Sequence, residues 1–394
     1  MTLNKRLIIH SKSHYGSANS IIAEELGLSL SKQGYYVTAV SISHDVSKSV
    51  SAYDISPTFT RILLPHYKID RSILSFLRRG FIIAKFYKRL NADFILSLDP
   101  ILPETFIPLL LGKLKRIPTA IYLTDNWGLD PDGPTSWSKQ IIEEVMIIFS
   151  LKMTRVQFYA SELVRNRLKK YGGRYSVIMR CGFNTEDISK RKSEKSRDWL
   201  NESFDIPKEN KIILTRYDSR VSYLYTKIAD EFRRHGSKVT LLLLNSGSEI
   251  LQIDDNDDLI SEGYMRIANK LNREEYVRAI LNCDILWISG IDSFWDRARF
   301  PTRLPEYMAS GVPVVCSIGG TSRDFLNQSG YSPISKFAFP SNDVSSILNS
   351  FSFMLSDNPL IKESCNATFN YANENLTWNK ITSEFARILE RLFD

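Results

Sequence analysis

Short apolar runs alternate with longer amphipathic segments along most of the chain. In the first half, the apolar runs predict strands at 7–10, 36–42, 94–97 and 120–124. After residue 210 the alternation begins again, with strands predicted at 212–215, 239–244, 285–289 and 312–317. Helical segments separate these strands, which is typical of a mostly parallel sheet covered by helices on both faces.

The chain has 394 residues, a length that fits two domains. We predict an α/β protein with two Rossmann-like, doubly wound domains that face a cleft, because such sheets bind ligands at the carboxyl ends of their strands. The first domain is predicted at 1–189 and the second at 211–375, with a polar linker at 190–210. A last helix within 376–394 either packs back on the first domain or caps the second.

Composition excludes several other classes of protein. Hydrophobic residues make up 43% of the chain and charged residues 24%, as in ordered globular proteins. No apolar run approaches the roughly 20 residues of a membrane-spanning helix, and the N-terminus lacks the apolar core of a signal peptide. We therefore expect a cytoplasmic protein. The 4 cysteines show no C-x-x-C spacing and are predicted to be reduced core residues.

The positive charge belongs to the N-terminal half. Residues 1–200 contain 30 Lys and Arg against 18 Asp and Glu, whereas the remainder contains 21 against 26. The densest basic and apolar stretch, at 72–90, predicts an amphipathic helix that either lies on an anionic membrane surface or is an ordinary solvated helix. No helix-turn-helix, zinc-finger or ribonucleoprotein signature accompanies the charge, so nucleic acid is not an expected partner.

Candidate chemistry is densest in FPTRLPEYMASGVPVVC, at 300–316. Pro301 is expected to start a helix whose first amides bind an anion, and Arg303 adds a cation in the first turn. Glu306 follows one turn later, where a carboxylate can accept hydrogen bonds from sugar hydroxyls. Gly311 then ends the helix. Together these residues predict a site for a nucleotide.

This segment resembles the nucleotide-sugar signature of GT-B glycosyltransferases of the family 4-like group (group 1), P-x-[KR]-L-x-E-Y-x-A-x-G-x-P-V-V. Upstream, residues 262–289 read EGYMRIANKLNREEYVRAILNCDILWIS. This stretch resembles the family's succession of a strand with a glycine, a helix, and a second strand that is preceded by an aspartate. ILTRYDSR resembles the place where the family presents basic residues to the diphosphate, and VIMRCGFNTEDI its crossover into the second domain. The resemblance covers most of the chain and is that of a divergent member.

The resemblance implies a donor site that holds the diphosphate with arginines and amides and requires no metal or other cofactor. Glu306 would accept the ribose hydroxyls, and the backbone near Gly263 and Tyr264 would contact the base. Gly16 would let the first loop approach the donor phosphate. The donor-binding residues implied in this way are Gly16, Arg216, Arg220, Gly263, Tyr264, Thr302, Arg303 and Glu306.

The chain also departs from the family. Ala298 stands where retaining members carry the first of two glutamates, Thr215 replaces a glycine, and Arg180 replaces the crossover asparagine. Retaining and inverting reactions therefore both stay open.

An inverting reaction requires a base near the acceptor hydroxyl, and this should come from the N-terminal domain. Asp125 in TDNWG is the first candidate, followed by His14 and then Asp99. Asp130 and Asp132 form a D-x-D sequence, which binds metal in GT-A glycosyltransferases. Here it lies in DPDGP, and we interpret it as turn composition.

The expected function is transfer of a sugar from a UDP- or GDP-sugar to a hydroxyl of a glycan acceptor. The basic and apolar first half favours a lipid-linked acceptor at the inner face of the cell membrane, as in assembly of bacterial lipopolysaccharide or capsule. Two alternatives stay open, namely a sugar-nucleotide epimerase of GT-B fold and a noncatalytic nucleotide-sugar-binding or scaffold protein.

Overall fold

The computed structural model describes residues 5–14, 18–43, 50–65, 73–89, 91–100, 103–125, 136–172, 175–192, 197–245, 258–269, 271–291 and 293–393. The chain divides into two compact units. Unit 1 consists of Met1–Gly182, Ala298–Thr302 and Trp378–Asp394, and unit 2 of Phe183–Arg297 and Arg303–Thr377. The chain therefore contributes to unit 1 three times.

Unit 1 is built on an eight-stranded sheet with the order β3-β4-β2-β1-β5-β6-β7-β8. Its strands are β1 (Arg6–His14), β2 (Tyr36–Ile42), β3 (Ser51–Ser56), β4 (Phe59–Leu64), β5 (Phe94–Leu98), β6 (Thr119–Leu123), β7 (Val156–Tyr159) and β8 (Tyr175–Ile178). The helices between them are α1 (Ala18–Lys32), α2 (Ile73–Arg89), α3 (Pro103–Leu114), α4 (Trp137–Met153) and α5 (Glu162–Leu168). Only β3 pairs antiparallel among the described strands of this sheet.

The four strands predicted in the first half are confirmed as β1, β2, β5 and β6. Every residue of β5 and β6 is buried, which is why these strands are recognisable as continuous apolar runs. The α1 helix ends at Lys32, and Gly34 adopts a φ of +95° just beyond it, as is typical of a glycine that ends a helix. The edge strand β3 was not predicted, because its side chains are mostly exposed and give no apolar signal.

Unit 2 is built on a five-stranded sheet with the order β11-β10-β9-β12-β13, in which all pairs are parallel. The strands are β9 (Lys211–Arg216), β10 (Val239–Asn245), β11 (Met265–Asn269), β12 (Ile285–Ile288) and β13 (Val314–Cys316). Its helices are α6 (Thr185–Lys192), α7 (Arg197–Ser203), α8 (Ser222–Arg234), α9 (Asp258–Ser261), α10 (Arg273–Asn282), α11 (Phe294–Ala298), α12 (Leu304–Ser310), α13 (Thr321–Leu326), α14 (Ser335–Ala338), α15 (Val344–Met354) and α16 (Pro359–Asn375). Ala298, the last residue of α11, is grouped with unit 1.

The strands predicted in the second half are confirmed as β9, β10, β12 and β13. The polar stretch 190–210 contains α7, in which Leu200 and Asn201 are buried, and it belongs to unit 2. Arg197 fixes this segment to the sheet through an ion pair of 2.8 Å with Asp284.

The C-terminal helix α17 (Trp378–Phe393) is grouped with unit 1. Its buried residues recur every three or four positions, so one face of the helix is apolar. Phe385 lies on that face, with its ring 4.9 Å from the ring of Phe158 and 6.3 Å from that of Phe94. The hydroxyl of Thr382 contacts Ser29 on α1 at 2.8 Å.

All four cysteines are buried and form no disulfide, in agreement with the prediction. None of the helices in the described part of the chain combines the length and apolarity that a membrane span requires.

His10 on β1 is a buried histidine that makes folding sensitive to acid. Its Nδ1 contacts the hydroxyl of Tyr87, and burial lowers the pKa of His10 from 6.5 to about 3. The folded protein thus keeps His10 neutral at a pH where the unfolded chain binds a proton, so stability falls as the pH drops below 6.5.

We expect the free energy of unfolding to decrease between pH 6.5 and pH 4 by up to about 1.4 kcal/mol per pH unit from this residue. Urea unfolding across this range measures how steeply the free energy of unfolding changes with pH, which reports the number of protons taken up on unfolding. That number should be smaller by up to one in His10→Gln than in the wild type. His235→Gln is the control, because the side chain of His235 is 73% exposed. Equal slopes in the wild type and His10→Gln would contradict the prediction.

Candidate functional site

The order of strands in unit 2 places a ligand-binding position next to its central strand. From β9 the chain adds β10 and β11 on one side and then returns to add β12 and β13 on the other. Ligands of open parallel sheets bind at such a reversal, at the carboxyl ends of the two adjacent strands. Arg216 is the last residue of β9, and Ser289 directly follows β12.

A buried tyrosine joins the two strand ends. The hydroxyl of Tyr225 lies 2.7 Å from Ser289 Oγ and 3.3 Å from the carbonyl oxygen of Arg216. It also accepts a hydrogen bond of 3.1 Å from the amide of Asp218. Burial raises the pKa of Tyr225, so the hydroxyl stays neutral and holds both loops by hydrogen bonds.

Arg220, predicted to bind the diphosphate, is held by two carboxylates. Its guanidinium lies 2.6 Å from Asp218 and 3.1 Å from Asp296, and it stacks over the Trp295 ring at 5.4 Å. Hydrogen bonds with Asp218 and the charges of both carboxylates raise the pKa of Arg220, so it is permanently charged. Because the Asp296 side chain is fully buried, Arg220 compensates its charge and ties the loop after β12 to the loop after β9.

Arg303 lies where the chain enters α12, among three tyrosines. Burial raises the pKa of Tyr225, Tyr276 and Tyr307, and the nearby positive charge of Arg303 opposes that rise. Among the described residues, the buried Nε of Arg303 has no hydrogen-bond partner. A buried N–H without an acceptor is costly, so this atom has an unused capacity to bind a ligand.

The helix α12 begins at Leu304, so the expectation that Pro301 starts it is corrected. Pro305 occupies the first turn, where the missing N–H of proline costs no helical hydrogen bond. Gly311 ends the helix with a φ of +72°, as predicted. Thr302 directly precedes Arg303 in the chain and is grouped with unit 1.

Glu306, predicted to accept ribose hydroxyls, is engaged by an arginine. Its Oε1 lies 2.5 Å from Arg273, which also contacts Asp187 at 2.9 Å. Burial alone would lower the pKa of Arg273, but the two carboxylates raise it above its ordinary value. The contact through one oxygen fixes the Glu306 carboxylate in a defined orientation on α12.

Gly263 and Tyr264 are not brought together with Arg216. They precede β11, and the strand register places Gly263 level with Lys211, the first residue of β9. At about 3.3 Å per residue this is roughly 16 Å from Arg216 along the strand direction. Asn245 and Asn269 are at the correct edge instead. They end β10 and β11, and Asn245 Nδ2 donates to Asn269 Oδ1 at 2.8 Å.

The loop after β13 was not predicted as part of the site. Gly319 and Gly320 follow this buried strand, and Gly320 adopts a φ of +65° and a ψ of −132°. A Cβ at Gly320 would lie 2.4 Å from the carbonyl oxygen of Arg297, whereas a Cβ at Gly319 would meet nothing within 4 Å. The two consecutive glycines after an apolar run were the signal in the sequence.

Gly320→Ala is therefore expected to lower the free energy of unfolding by about 2 to 4 kcal/mol, from backbone strain and overlap with Arg297. Gly319→Ala is the matched control and should stay within about 0.5 kcal/mol of the wild type. Urea unfolding of the three proteins measures the difference. Equal stability of the two variants would refute the assignment of strain to Gly320.

The candidate base Asp125 lies in unit 1, just beyond the carboxyl end of β6. Its Oδ1 accepts a hydrogen bond of 3.0 Å from Nε of Arg299, in the short segment that returns to unit 1. Both side chains are partly exposed, at 22% for Asp125 and 34% for Arg299. Arg299 was missed by sequence reasoning, because 174 positions separate it from Asp125.

Asp99 is a structural residue. It is fully buried after β5, at a φ of +43°, and its carboxylate accepts hydrogen bonds from Asn19 Nδ2 and from the amide and hydroxyl of Thr124. Asp99 thus joins the segment after β5 to Thr124 after β6 and to Asn19 on α1. Because its carboxylate is used by these hydrogen bonds, Asp99 is not available to an acceptor hydroxyl.

The remaining predicted residues are only partly placed. The backbone of His14 ends β1, next to Ile42 of β2. Gly16 and the D-x-D residues Asp130 and Asp132 lie outside the described residues. Within the described part of the chain, no three His, Cys, Asp or Glu side chains are grouped as a metal site requires.

The position of the family's first glutamate is occupied by an apolar core residue. Ala298 is fully buried and packs in unit 1 with Leu109, Ile147 and Leu151. A glutamate here would carry its charge into an apolar cluster, which explains why the chain has alanine.

Two units, each built on a mostly parallel sheet, are the architecture of the GT-B fold, and solved structures confirm this fold over 99% of the chain. A glycosyltransferase from Rickettsia africae is 14% identical, with a TM-score of 0.66 and 99% of each chain covered. A UDP-forming α,α-trehalose-phosphate synthase from Burkholderia vietnamiensis is 8% identical, with a TM-score of 0.69 and 99% of each chain covered.

The same fold also occurs in an enzyme of another class. A UDP-GlcNAc 2-epimerase from Neisseria meningitidis, bound to UDP-GlcNAc, is 12% identical, with a TM-score of 0.58 over 98% of this chain and 100% of its own. No protein-family model matches the chain, and no curated protein matches it in sequence. The chain thus has the fold of enzymes that use nucleotide sugars.

Proposed function

We propose that the protein is a glycosyltransferase that moves a sugar from a nucleoside-diphosphate sugar to a hydroxyl of a glycan acceptor. The observation that carries the proposal is the unused buried Nε of Arg303, which lies one helical turn from Glu306 at the entrance to α12. A guanidinium suits a diphosphate and a carboxylate suits the ribose hydroxyls, so the two side chains together fit a nucleoside diphosphate.

The glycosyltransferase neighbours, and the UDP named for one of them, support this class of donor. In the proposed site, Arg216 and Arg303 bind the diphosphate. Arg220 acts on the same edge by neutralising Asp296 and holding the loop after β12. In this proposal the backbone at Asn269 contacts the base, the role first expected for Gly263; its position at the carboxyl edge of the sheet supports this.

The reaction proposed is a displacement at the anomeric carbon. The bond between that carbon and the diphosphate oxygen breaks, and its electron pair leaves with the nucleoside diphosphate. The acceptor oxygen bonds to the same carbon while its proton passes to Asp125, whose orientation is fixed by Arg299. Positive charge already placed at the leaving diphosphate lowers the barrier, and in this proposal it takes the role that a divalent metal has in other glycosyltransferases.

The proposal is tested by incubating the full chain with UDP-glucose, UDP-GlcNAc and GDP-mannose, with and without short oligosaccharides, in the presence and absence of EDTA. Nucleoside-diphosphate release that is increased by an oligosaccharide and survives EDTA supports a metal-independent transferase. Formation of an epimeric sugar nucleotide without acceptor would instead assign the chain to the epimerases. Binding without turnover of any donor would assign it a noncatalytic role.

The finer expectation, a lipid-linked acceptor in the assembly of a bacterial surface polysaccharide, belongs to the same proposal. It is supported by the basic first half of the chain. Replacing the oligosaccharides by a polyprenyl-diphosphate-linked sugar in the same assay tests it, and faster release with the lipid-linked acceptor is the expected result.

A further inference from the structure

The helix α4 of unit 1 is oriented with its apolar side chains outward. Five large apolar residues of this helix are exposed, namely Trp137, Ile141, Ile142, Val145 and Phe149. At 100° per residue they fall within an arc of about 140°. The opposite side, which is buried, carries Gln140, Glu143 and Glu144 beside Ile147 and Leu151. A helix of a soluble protein ordinarily has the reverse arrangement.

Contacts with other segments fix the orientation of α4. Glu144 pairs with Arg167 of α5 at 2.8 Å. Ile147 and Leu151 pack in the apolar core of unit 1. Turning the helix to hide its apolar arc would break these contacts. The exposed arc is therefore a stable surface feature.

The apolar surface continues onto the two neighbouring helices. The helix α3 packs against α4 and exposes Leu110 and Leu114, and α2 packs against α3 and exposes Phe81. We call the outward side chains of α2, α3 and α4 the helical face. Contiguous exposed apolar residues on this scale mark a site of interaction.

The exposed charges described on the helical face have one sign. Lys85 and Lys88 on α2, Lys113 on α3 and Lys152 on α4 are exposed beside the apolar residues. Among the described side chains of these three helices, the acidic ones are Glu143 and Glu144, and both are buried. A partner must therefore offer apolar surface and negative charge together.

These two requirements decide between the candidate partners. A second copy of the chain would place the same lysines against each other, because a two-fold interface brings identical patches together. Nucleic acid would neutralise the lysines but would leave five apolar side chains of α4 without a partner. A bilayer with anionic headgroups satisfies both requirements, and tryptophan at the end of such a helix suits the headgroup level.

We propose that the helical face is the surface by which this protein docks on an anionic lipid membrane, with Ile142 and Phe149 inserted among the acyl chains. The proposal goes beyond the proposed function and does not depend on it. Vesicle binding is measured on the protein without donor or acceptor, so either proposal can fail while the other stands.

The test is co-sedimentation of the full chain with vesicles of phosphatidylcholine alone and of phosphatidylcholine mixed with phosphatidylglycerol. We expect sedimentation with the mixed vesicles that weakens as salt is added. The double variant Ile142→Ser, Phe149→Ser should lower the partition coefficient by about tenfold or more. These side chains are 58% and 56% exposed, so their loss opens no cavity.

The control replaces two other exposed apolar residues outside the helical face, Tyr36→Ser and Leu360→Ser, and should bind as the wild type does. Quenching of tryptophan fluorescence by brominated phosphatidylglycerol adds a second measurement. It should be reduced in Trp137→Phe, which keeps the helical face apolar but removes the fluorophore at its end.

Three results would overturn the proposal. The first is a wild-type chain that does not sediment with mixed vesicles at low salt, and the second is a double variant that sediments as well as the wild type. The third is a concentration-dependent dimer, seen by analytical ultracentrifugation and lost in the double variant, together with no vesicle binding. That result would assign the helical face to a second copy.

Discussion

Arg303→Ala is expected to lower kcat/KM for the nucleotide-sugar donor by about 100- to 1000-fold, equivalent to about 3 to 4 kcal/mol of transition-state stabilisation. The reason is that Arg303 offers a buried guanidinium N–H with no acceptor among the described residues. A departing diphosphate gains negative charge during the reaction, and a fixed cation stabilises it more than it stabilises the bound donor. Steady-state kinetics with varied donor, together with calorimetric titration of the nucleoside diphosphate, separate the two effects.

Three further variants make this result specific. Arg303→Lys keeps the charge but not the planar donor group, so it should recover part of the loss. Arg234→Ala removes an arginine at the C-terminal end of α8, where the side chain is 64% exposed, and should leave kinetics unchanged. Glu306→Gln should weaken donor affinity in particular. If Arg303→Ala and Glu306→Gln both keep wild-type kinetics, the donor site has been assigned to the wrong residues.

Asp125→Asn is expected to reduce kcat by about 100- to 10,000-fold while the KM for the donor changes little. Asparagine preserves the size of the side chain but cannot take the acceptor proton. The hydrogen bond from Arg299 is retained by the amide oxygen, so the variant tests the proton transfer and not the position of the loop. Donor affinity measured by titration should match that of the wild type.

Asp93→Asn is the matched control in the same unit. Asp93 directly precedes β5 and accepts a hydrogen bond of 2.8 Å from the backbone amide of Arg6. Asp125 lies beyond the carboxyl end of the parallel strand β6, so the two carboxylates are at opposite edges of the sheet. This variant should keep wild-type turnover. Wild-type turnover in Asp125→Asn would eliminate Asp125 as the base and leave His14 as the next residue to test.

The parts of the fold that were predictable are those that depend on local pattern. Buried parallel strands are continuous apolar runs, and the helix before Gly34 ends because glycine tolerates a positive φ. The position of Gly263 was misjudged, because a glycine before a strand lies at the amino edge of a parallel sheet. The register of β11, which only the structure provides, shows this directly.

Pairings between distant residues were outside the reach of sequence reasoning. The contact between Asp125 and Arg299 joins a strand end to a segment late in the chain, and neither neighbourhood has a pattern that announces it. The orientation of α4 was hidden for a related reason. Its apolar residues surround the helix, and the pairing of Glu144 with Arg167 and the packing of Ile147 and Leu151 determine which arc faces inward.

Unit 1 is assembled from three separate segments of the chain, which affects how it folds during synthesis. Because Arg299 and the helix α17 come from late segments, the N-terminal portion emerges from the ribosome without them. Until Phe385 is synthesised, Phe94 and Phe158 lack the contact with its ring that covers them in the finished protein. Folding of unit 1 is therefore completed only after α17 has been synthesised, and the nascent chain exposes apolar surface to chaperones until then.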